Sequence, residues 1–239
     1  DTVNRNIMEK VYSWLRTGLD WLLPLHCRLC GEQVAWELEL CPGCYRDLPW
    51  LKTACRRCAE PLPAEPQTLL CGRCLRRPPP FDRVIAPLHF APPVDGLIHA
   101  YKFHGDLAAG RLLANLLAAA TTASRPELLL PVPLHARRLR QRGFNQSLEL
   151  ARQLSRQRRL PLADRLLVRC RDTPPQRLLP ASERRANVRG AFALRGPLSA
   201  RHVAVLDDVM TTGQTMMEIC RLLRRAGAAR IEVWVVARA

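Results

Sequence analysis

Two adjacent acids at the end of an apolar run, followed at once by hydroxyls and a glycine, are the residues of this 239-residue chain best suited to hold a ligand. They lie in residues 203–215, VAVLDDVMTTGQT. Residues 203–206 are apolar and two of the four are β-branched, as in a central parallel strand. Asp207 and Asp208 follow where that strand should leave the sheet, and open α/β sheets bind ligands outside the carboxyl ends of their strands. Thr211, Thr212, Gly213, Gln214 and Thr215 then supply polar groups and a permissive glycine. The free N–H groups that open the next helix complete a cradle for a phosphate. No G-x-x-x-x-G-K-[ST] loop is present. Carboxylates repel phosphate, so the acids must face hydroxyls, and a vicinal pair on a ribose is a suitable donor set. A ribose 5-phosphate then fits, with the sugar over the acids and its phosphate in the loop; the same residues also read as a strand, an Asp-rich turn and a helix cap with no ligand.

In this stretch the chain resembles the type I phosphoribosyltransferases, whose loop for phosphoribosyl pyrophosphate (PRPP) runs apolar strand, two acids, then a T-x-G-x-T-like turn. Further candidates lie upstream. Residues 128–147, LLLPVPLHARRLRQRGFNQS, read as a strand, a proline-stiffened turn, a basic loop and a helix. Arg137, Arg138, Arg140 and Arg142 in that loop can fork onto pyrophosphate oxygens, or simply be solvated. Gly143 permits close backbone approach, and Asn145 and Gln146 open the helix. His135 reads equally as an acid–base group or as an ordinary surface or core residue. Lys102 is the only lysine beyond residue 52 and sits between Tyr101 and Phe103; it reads as a phosphate contact or a snorkelling surface residue. Pro174, Pro175 and Gln176, with residues 183–188 (ERRANV), can shape a rim or cap turns.

A second chemistry is written in cysteine. Eight of the ten cysteines form four C-x-x-C pairs: Cys27/Cys30, Cys41/Cys44, Cys55/Cys58 and Cys71/Cys74. A C-x-x-C turn aims two thiolates at one centre, and two turns make a tetrahedral site. Eight thiolates leave no open coordination position, so two structural zinc ions are expected, with iron–sulfur ligation as the rival. Consecutive and cross-braced pairings both fit the count; short loop closure favours the consecutive one. So short a segment can hardly bury a core of its own and needs metal for stability. Cys170 and Cys220, outside the four pairs, are expected to be buried core thiols.

Composition adds a polyanion. Net charge is +16 with a pI near 10.4, and 34 of the 37 basic residues are Arg. Residues 125–190 hold 16 Arg against five acids. Such a surface suits nucleic acid or a phosphate-rich substrate. Residues 7–23 carry Glu9, Lys10, Arg16 and Asp20, too charged and too short for a membrane span. They read instead as an amphipathic helix. Nothing resembles a secretory signal, and clustered cysteines in a reducing setting point to metal, so the expected location is cytoplasmic.

These residues need a scaffold. Strands are expected over 83–90 (interrupted by Pro87), 127–132, 166–169, 203–206 and 231–236. Helices are expected over 94–103, 107–122, 144–159 and 182–188, and after Gly213 as far as Gly227. That alternation predicts an α/β fold: a parallel sheet covered by helices on both faces, behind a small Cys-rich module. The expected domains are an amphipathic helix over 1–23, a double zinc ribbon over 24–77 and a phosphoribosyltransferase-like domain over 81–239, with Pro78, Pro79 and Pro80 as a stiff linker.

The set K-F-H-G-D, P-V-P-L-H, R-G-F-N-Q, P-P-Q, E-R-R-A-N-V and L-D-D-V-M-T-T-G-Q-T, behind a C-x-x-C module, resembles the ComF/GntX family of competence-protein-F-like proteins. The resemblance covers the chain from Cys27 onward. It implies a type I phosphoribosyltransferase fold with zinc, ribose-binding acids at Asp207 and Asp208, and a 5-phosphate loop at Thr211 to Thr215. It also implies a link to DNA uptake or the use of external DNA. Two functions follow as expectations. One is an enzyme binding PRPP with Mg²⁺. The other is a catalytically silent accessory that meets single-stranded DNA or a DNA-uptake helicase through its zinc ribbons and Arg-rich surface. Trp36, Tyr45 and Trp50 would be stacking faces in the second case, or core residues.

Overall fold

The computed structural model describes residues 25–34, 38–172 and 188–239. The helix expected over 1–23, Trp36, residues 174–176 and most of the helix expected over 182–188 lie outside the described residues. The chain divides into two compact units, Asp1–Leu48 and Pro49–Ala239.

In the smaller unit the first knuckle closes when the Cys27 carbonyl accepts the Gly31 N–H at 2.8 Å. Gly31 has φ 79°, a left-handed conformation open chiefly to glycine. Helix α1 (Pro42–Arg46) begins at Cys41, whose sulfur accepts from the Cys44 N–H, and Pro42 occupies the first turn, where no N–H is needed.

In the larger unit a short helix, α2 (Gly72–Arg76), follows Cys71. Strands β1 (Arg83–Ile85) and β2 (Leu88–His89) are separated at Pro87, which has no N–H to give the ladder. Helices α3 (Val94–His104) and α4 (Leu107–Ala120) meet at Gly105 and Asp106. Gly105 ends α3 at φ 66°, and the Asp106 carboxylate accepts the Ala108 and Ala109 N–H groups to start α4. Then come β3 (Leu128–Pro131), α5 (Ala136–Arg142), α6 (Gln146–Arg158), β4 (Leu167–Arg169), β5 (Phe192–Leu194), β6 (His202–Met210), α7 (Gln214–Arg225) and β7 (Arg230–Arg238).

The main sheet has the order β1-β7-β6-β3, with β2 also on β7, and every pair is parallel. Val203, Val205, Ile231, Val233 and Val235 share a core with Met216, Ile219, Cys220 and Leu223 of α7. The alternate positions Ala204, Leu206, Trp234 and Val236 are fully buried too, and α4 and α6 pack on β7 and β6. Both faces are therefore covered, as a parallel sheet requires.

Four expectations change. The basic loop after residue 135 is instead the helix α5, capped by His135, whose Nδ1 accepts the Arg137 N–H. Strand β4 does not join the parallel sheet; it pairs antiparallel with β5 in a separate two-stranded ribbon. For that reason Cys170, just past β4, is exposed, whereas Cys220 inside α7 is fully buried as expected. Strand β6 also runs beyond Leu206 to Met210, because its ladder to β7 continues to the pair Met210 and Arg238.

Candidate functional site

Because the strands are parallel, β3, β6, β7 and β2 end on one edge, and a cleft of about 1070 Å³ opens there. Asp207 and Asp208 form its floor, with Thr211 and Thr215 beside them. Asp208 is 3% exposed and its Oδ2 lies 2.5 Å from Lys102 Nζ, so α3 reaches the acids through one ion pair. Its Oδ1 accepts the Val209 N–H at 2.9 Å. Asp207 Oδ1 accepts from the Ser147 hydroxyl at 2.6 Å and from the Asp208 N–H at 2.9 Å. Burial and the adjacent Asp208 charge push the Asp207 carboxyl up to about 7, against the opposing pull of Ser147 and Lys102.

The start of α6 is built to hold Ser147 in place. Asn145 accepts the Ser147 N–H at 3.1 Å and donates to the Val132 carbonyl at 3.1 Å, tying the helix to the end of β3. The Tyr101 hydroxyl donates to the Gln146 carbonyl at 2.9 Å, and Arg142 donates to Gln146 Oε1 at 2.7 Å. The R-G-F-N-Q-S run is thus a hub between α3, β3 and the acids.

The turn after β6 is held by Gly213 at φ 76°, where an added Cβ would lie 2.6 Å from Met210 Cε. Helix α7 starts at the next residue, and its N-cap Gly213 has no side chain to cap the first turn. The Thr212 hydroxyl is buried with no hydrogen-bond partner among the described residues. A spare donor, a glycine-hinged turn and a helix N-terminus together suit an anion.

Of the expected pyrophosphate contacts, Lys102, Arg138 and Arg142 line the cleft. Arg137 does not line it: its guanidinium pairs with Asp172 at 3.4 Å and is two-thirds exposed. Of the loop residues, Thr211 and Thr215 line the cleft, Thr212 and Gly213 form the turn, and Gln214 is the first residue of α7. Sequence reasoning missed Ser147 and Arg169. Arg169 also lines the cleft, and burial together with the neighbouring Arg138 charge pulls it down to about 10. The carboxylates of Asp172 and Asp207 oppose that fall. The only sequence signal was an arginine closing a short apolar strand.

The eight cysteines gather in consecutive sets, Cys27/Cys30/Cys41/Cys44 and Cys55/Cys58/Cys71/Cys74, with all sulfurs of a set within 4.8 Å of one another. Cys30 and Cys41 sulfurs are 3.7 Å apart, and those of Cys58 and Cys71 3.6 Å. A tetrahedral zinc with bonds of about 2.3 Å puts its sulfurs about 3.8 Å apart, so the thiols already have the shape of the metal site. Burial raises the Cys27 and Cys55 thiols, but backbone N–H groups aimed at the sulfurs outweigh it and bring them down to about 6 and about 7. None of the ten cysteines is in a disulfide. These are two structural zinc-binding sites.

The second set is welded to the edge of the sheet. Cys55, Cys58 and Cys74 belong to the same core as β6, β7 and α7. Arg238, 3% exposed at the end of β7, donates to the Cys58 carbonyl at 3.4 Å and to the Met210 carbonyl at 3.1 Å, and pairs with Glu60. Met210 immediately precedes the threonine turn.

A parallel sheet with paired acids and a threonine turn at its carboxyl edge defines a phosphoribosyltransferase-type domain. Residues 144–239 match the family described as phosphoribosyl transferase domain, and residues 18–75 match the double zinc ribbon domain. The chain is 40% identical over 228 residues to the DNA utilization protein YhgH of Escherichia coli O157:H7, covering 92% of this chain and 97% of that one. It is 35% identical over 236 residues to the protein of that name from Salmonella typhimurium, with the same coverage. It is 36% identical over 225 residues to Competence protein F of Haemophilus influenzae, covering 90% and 96%. The chain belongs to this competence-protein-F family. No helix among the described residues is long and apolar enough to cross a membrane.

Proposed function

We propose that the chain binds a ribose 5-phosphate ligand, PRPP with Mg²⁺, and that this binding serves the uptake or use of DNA. The observation that carries the reading is the meeting of Asp207, Asp208 and Lys102 with Thr211 and Thr215 in one cleft. The acids accept from the ribose hydroxyls, and the turn and the α7 N-terminus hold the 5-phosphate. Lys102 neutralises Asp208 until a ligand arrives; its exchange onto a phosphate frees Asp208 Oδ2 for the sugar, while Oδ1 keeps the Val209 N–H. Arg138, Arg142 and Arg169 face the pyrophosphate end. Mg²⁺ supplies charge neutralisation on the pyrophosphate oxygens when bound, and Asp207 or Asp208 are the carboxylates to help hold it. The names carried by the relatives support the link to DNA.

Calorimetric titration of Mg²⁺-PRPP into the zinc-loaded protein tests this reading. Saturable heat, lost in Asp207→Asn/Asp208→Asn, is the expected result. An absence of heat in a folded protein holding both zincs would refute it, as would a double variant that binds like the wild type.

The second reading is a silent accessory that meets single-stranded DNA or a helicase partner, and the +16 charge favours it. It predicts DNA binding whose logarithm falls linearly with the logarithm of salt.

A further inference from the structure

We propose that the open edge of β1 is a docking groove for an extended acidic peptide, a segment of a partner protein. The groove is independent of the ribose-phosphate reading: it is a second cleft, of about 830 Å³, and shares no lining residue with the first. Strand β1 is the last strand on its side of the main sheet. Beyond it, β2 is covered from outside: the Leu51 N–H donates to the Pro87 carbonyl and the His89 N–H to the Pro49 carbonyl, both at 2.8 Å. That outer segment leaves the sheet after Leu51 and never reaches β1. The backbone groups of successive residues on a strand point to opposite sides. Residues 87 and 89 face outward, so Arg83 and Ile85 face outward as well. Their N–H and C=O groups point away from β7 and have no partner among the described residues.

The walls set the chemistry of the occupant. Leu51, Ala54, Val84 and Ala86 make the groove partly apolar. Lys52 and Arg56 enter from the second zinc ribbon, Arg83 from β1 and Arg230 from the start of β7, and all four are exposed. The side chains of Lys52, Arg56 and Arg83 have no ion pair or hydrogen bond among the described residues. Arg230 gives one bond to the buried Glu232, at 2.8 Å. Asp82 is the one acid lining the groove, and it is already held by Arg224 at 2.6 Å and by the Ile231 N–H at 2.7 Å. A charge on an edge strand can serve only to guard it. Here three of the four cations come from other elements and converge on the open edge, which makes a positive trough. An extended peptide answers every part of it. Its backbone pairs with Arg83 and Ile85, and its alternate residues present carboxylates to the cations and apolar groups to the wall. The phosphodiester backbone of DNA matches the charge but carries no donor for the Arg83 and Ile85 carbonyls.

The test is fluorescence anisotropy on the zinc-loaded full chain, with a labelled peptide that alternates Glu and Val over about seven residues, an ordinary strand length. Binding should saturate, weaken as salt rises and vanish when Lys replaces Glu in the peptide. It should fall about tenfold or more in Lys52→Glu/Arg83→Glu, with the melting temperature and zinc content unchanged. Should that double variant not fold, Arg56→Glu decides. Two N-methylated peptides read the ladder. Methyl groups on every Glu nitrogen or on every Val nitrogen block opposite edges of the peptide strand, so one series should abolish binding and the other spare it. No binding of the parent peptide, equal binding of its Lys counterpart, equal effects of the two methylated series, or a charge-reversed variant that binds like the wild type would each overturn the proposal. If only oligothymidylate binds, and charge reversal weakens it, the groove serves nucleic acid and the proposal falls.

Discussion

Gly110→Ala should destabilise the larger unit and loosen the site, although alanine is the better helix former. A Cβ at Gly110 would lie 2.5 Å from Tyr101 Cε2 and 2.8 Å from Cδ2, closer than nonbonded carbons can stand. The ring cannot step aside cheaply. Tyr101 is 1% exposed, its hydroxyl is bonded to the Gln146 carbonyl at 2.9 Å, and it packs on Phe144. Overpacking a full core costs about 1–3 kcal/mol, and losing the hydroxyl bond adds about 1 kcal/mol. The helix gains about 1 kcal/mol from losing glycine. The net is a loss of about 1–3 kcal/mol, or roughly 3–9 °C in Tm for a unit of this size. Calorimetric melting of the zinc-loaded protein measures it. A second arm isolates the cause: in a Tyr101→Leu background the clash is gone and Gly110→Ala should be neutral or stabilising. Because the Gln146 carbonyl precedes Ser147, which holds Asp207, the single variant should also bind ribose 5-phosphate more weakly. An unchanged or raised Tm in the single variant, or the same loss in both backgrounds, would refute the reasoning.

Two further outcomes follow from the buried polar groups. Glu232, fully buried in β7, suffers burial that raises its carboxyl, but Ser124 at 2.6 Å, Trp234 Nε1 at 3.0 Å, Arg230 and His202 outweigh it and hold it below its ordinary value. Its stabilisation is therefore full above the ordinary carboxylate range and lost as pH falls through the lowered value. Melting from pH 6 down to 3 should show a steeper acid decline in the wild type than in Glu232→Gln, and parallel curves would contradict the assignment. Metal analysis should find two zincs per chain, falling to one in Cys58→Ser. That variant should also lower the melting temperature of the larger unit, since Cys55, Cys58 and Cys74 are part of its core. Retention of two zincs, or an unaltered melt, would count against it.

Much of the site lay in local sequence. The strand, acids, hydroxyl turn and helix of residues 203–215 are contiguous, so periodicity and turn chemistry revealed them without tertiary information. The four C-x-x-C pairs did the same for zinc, because ligand spacing is a property of a single turn. The alternation of elements called for a parallel sheet, since buried parallel strands must be apolar on both faces.

What only the folded chain decided concerns partners distant in sequence. Lys102 reads alone as a phosphate contact or a surface lysine; its pairing with Asp208 depends on how α3 docks over the ends of the strands. Ser147 and Arg169 became site residues the same way, one through the cap that ties α6 to β3, the other through a ribbon outside the main sheet. Arg137 went the other way, drawn off to Asp172. Which cysteines share a centre, and the bond from Arg238 that links the second centre to the threonine turn, are likewise tertiary facts. Local sequence specifies backbone conformation and which face is apolar. It carries little information on long-range charge pairing, because a charged side chain is stable in water until a particular partner displaces that water.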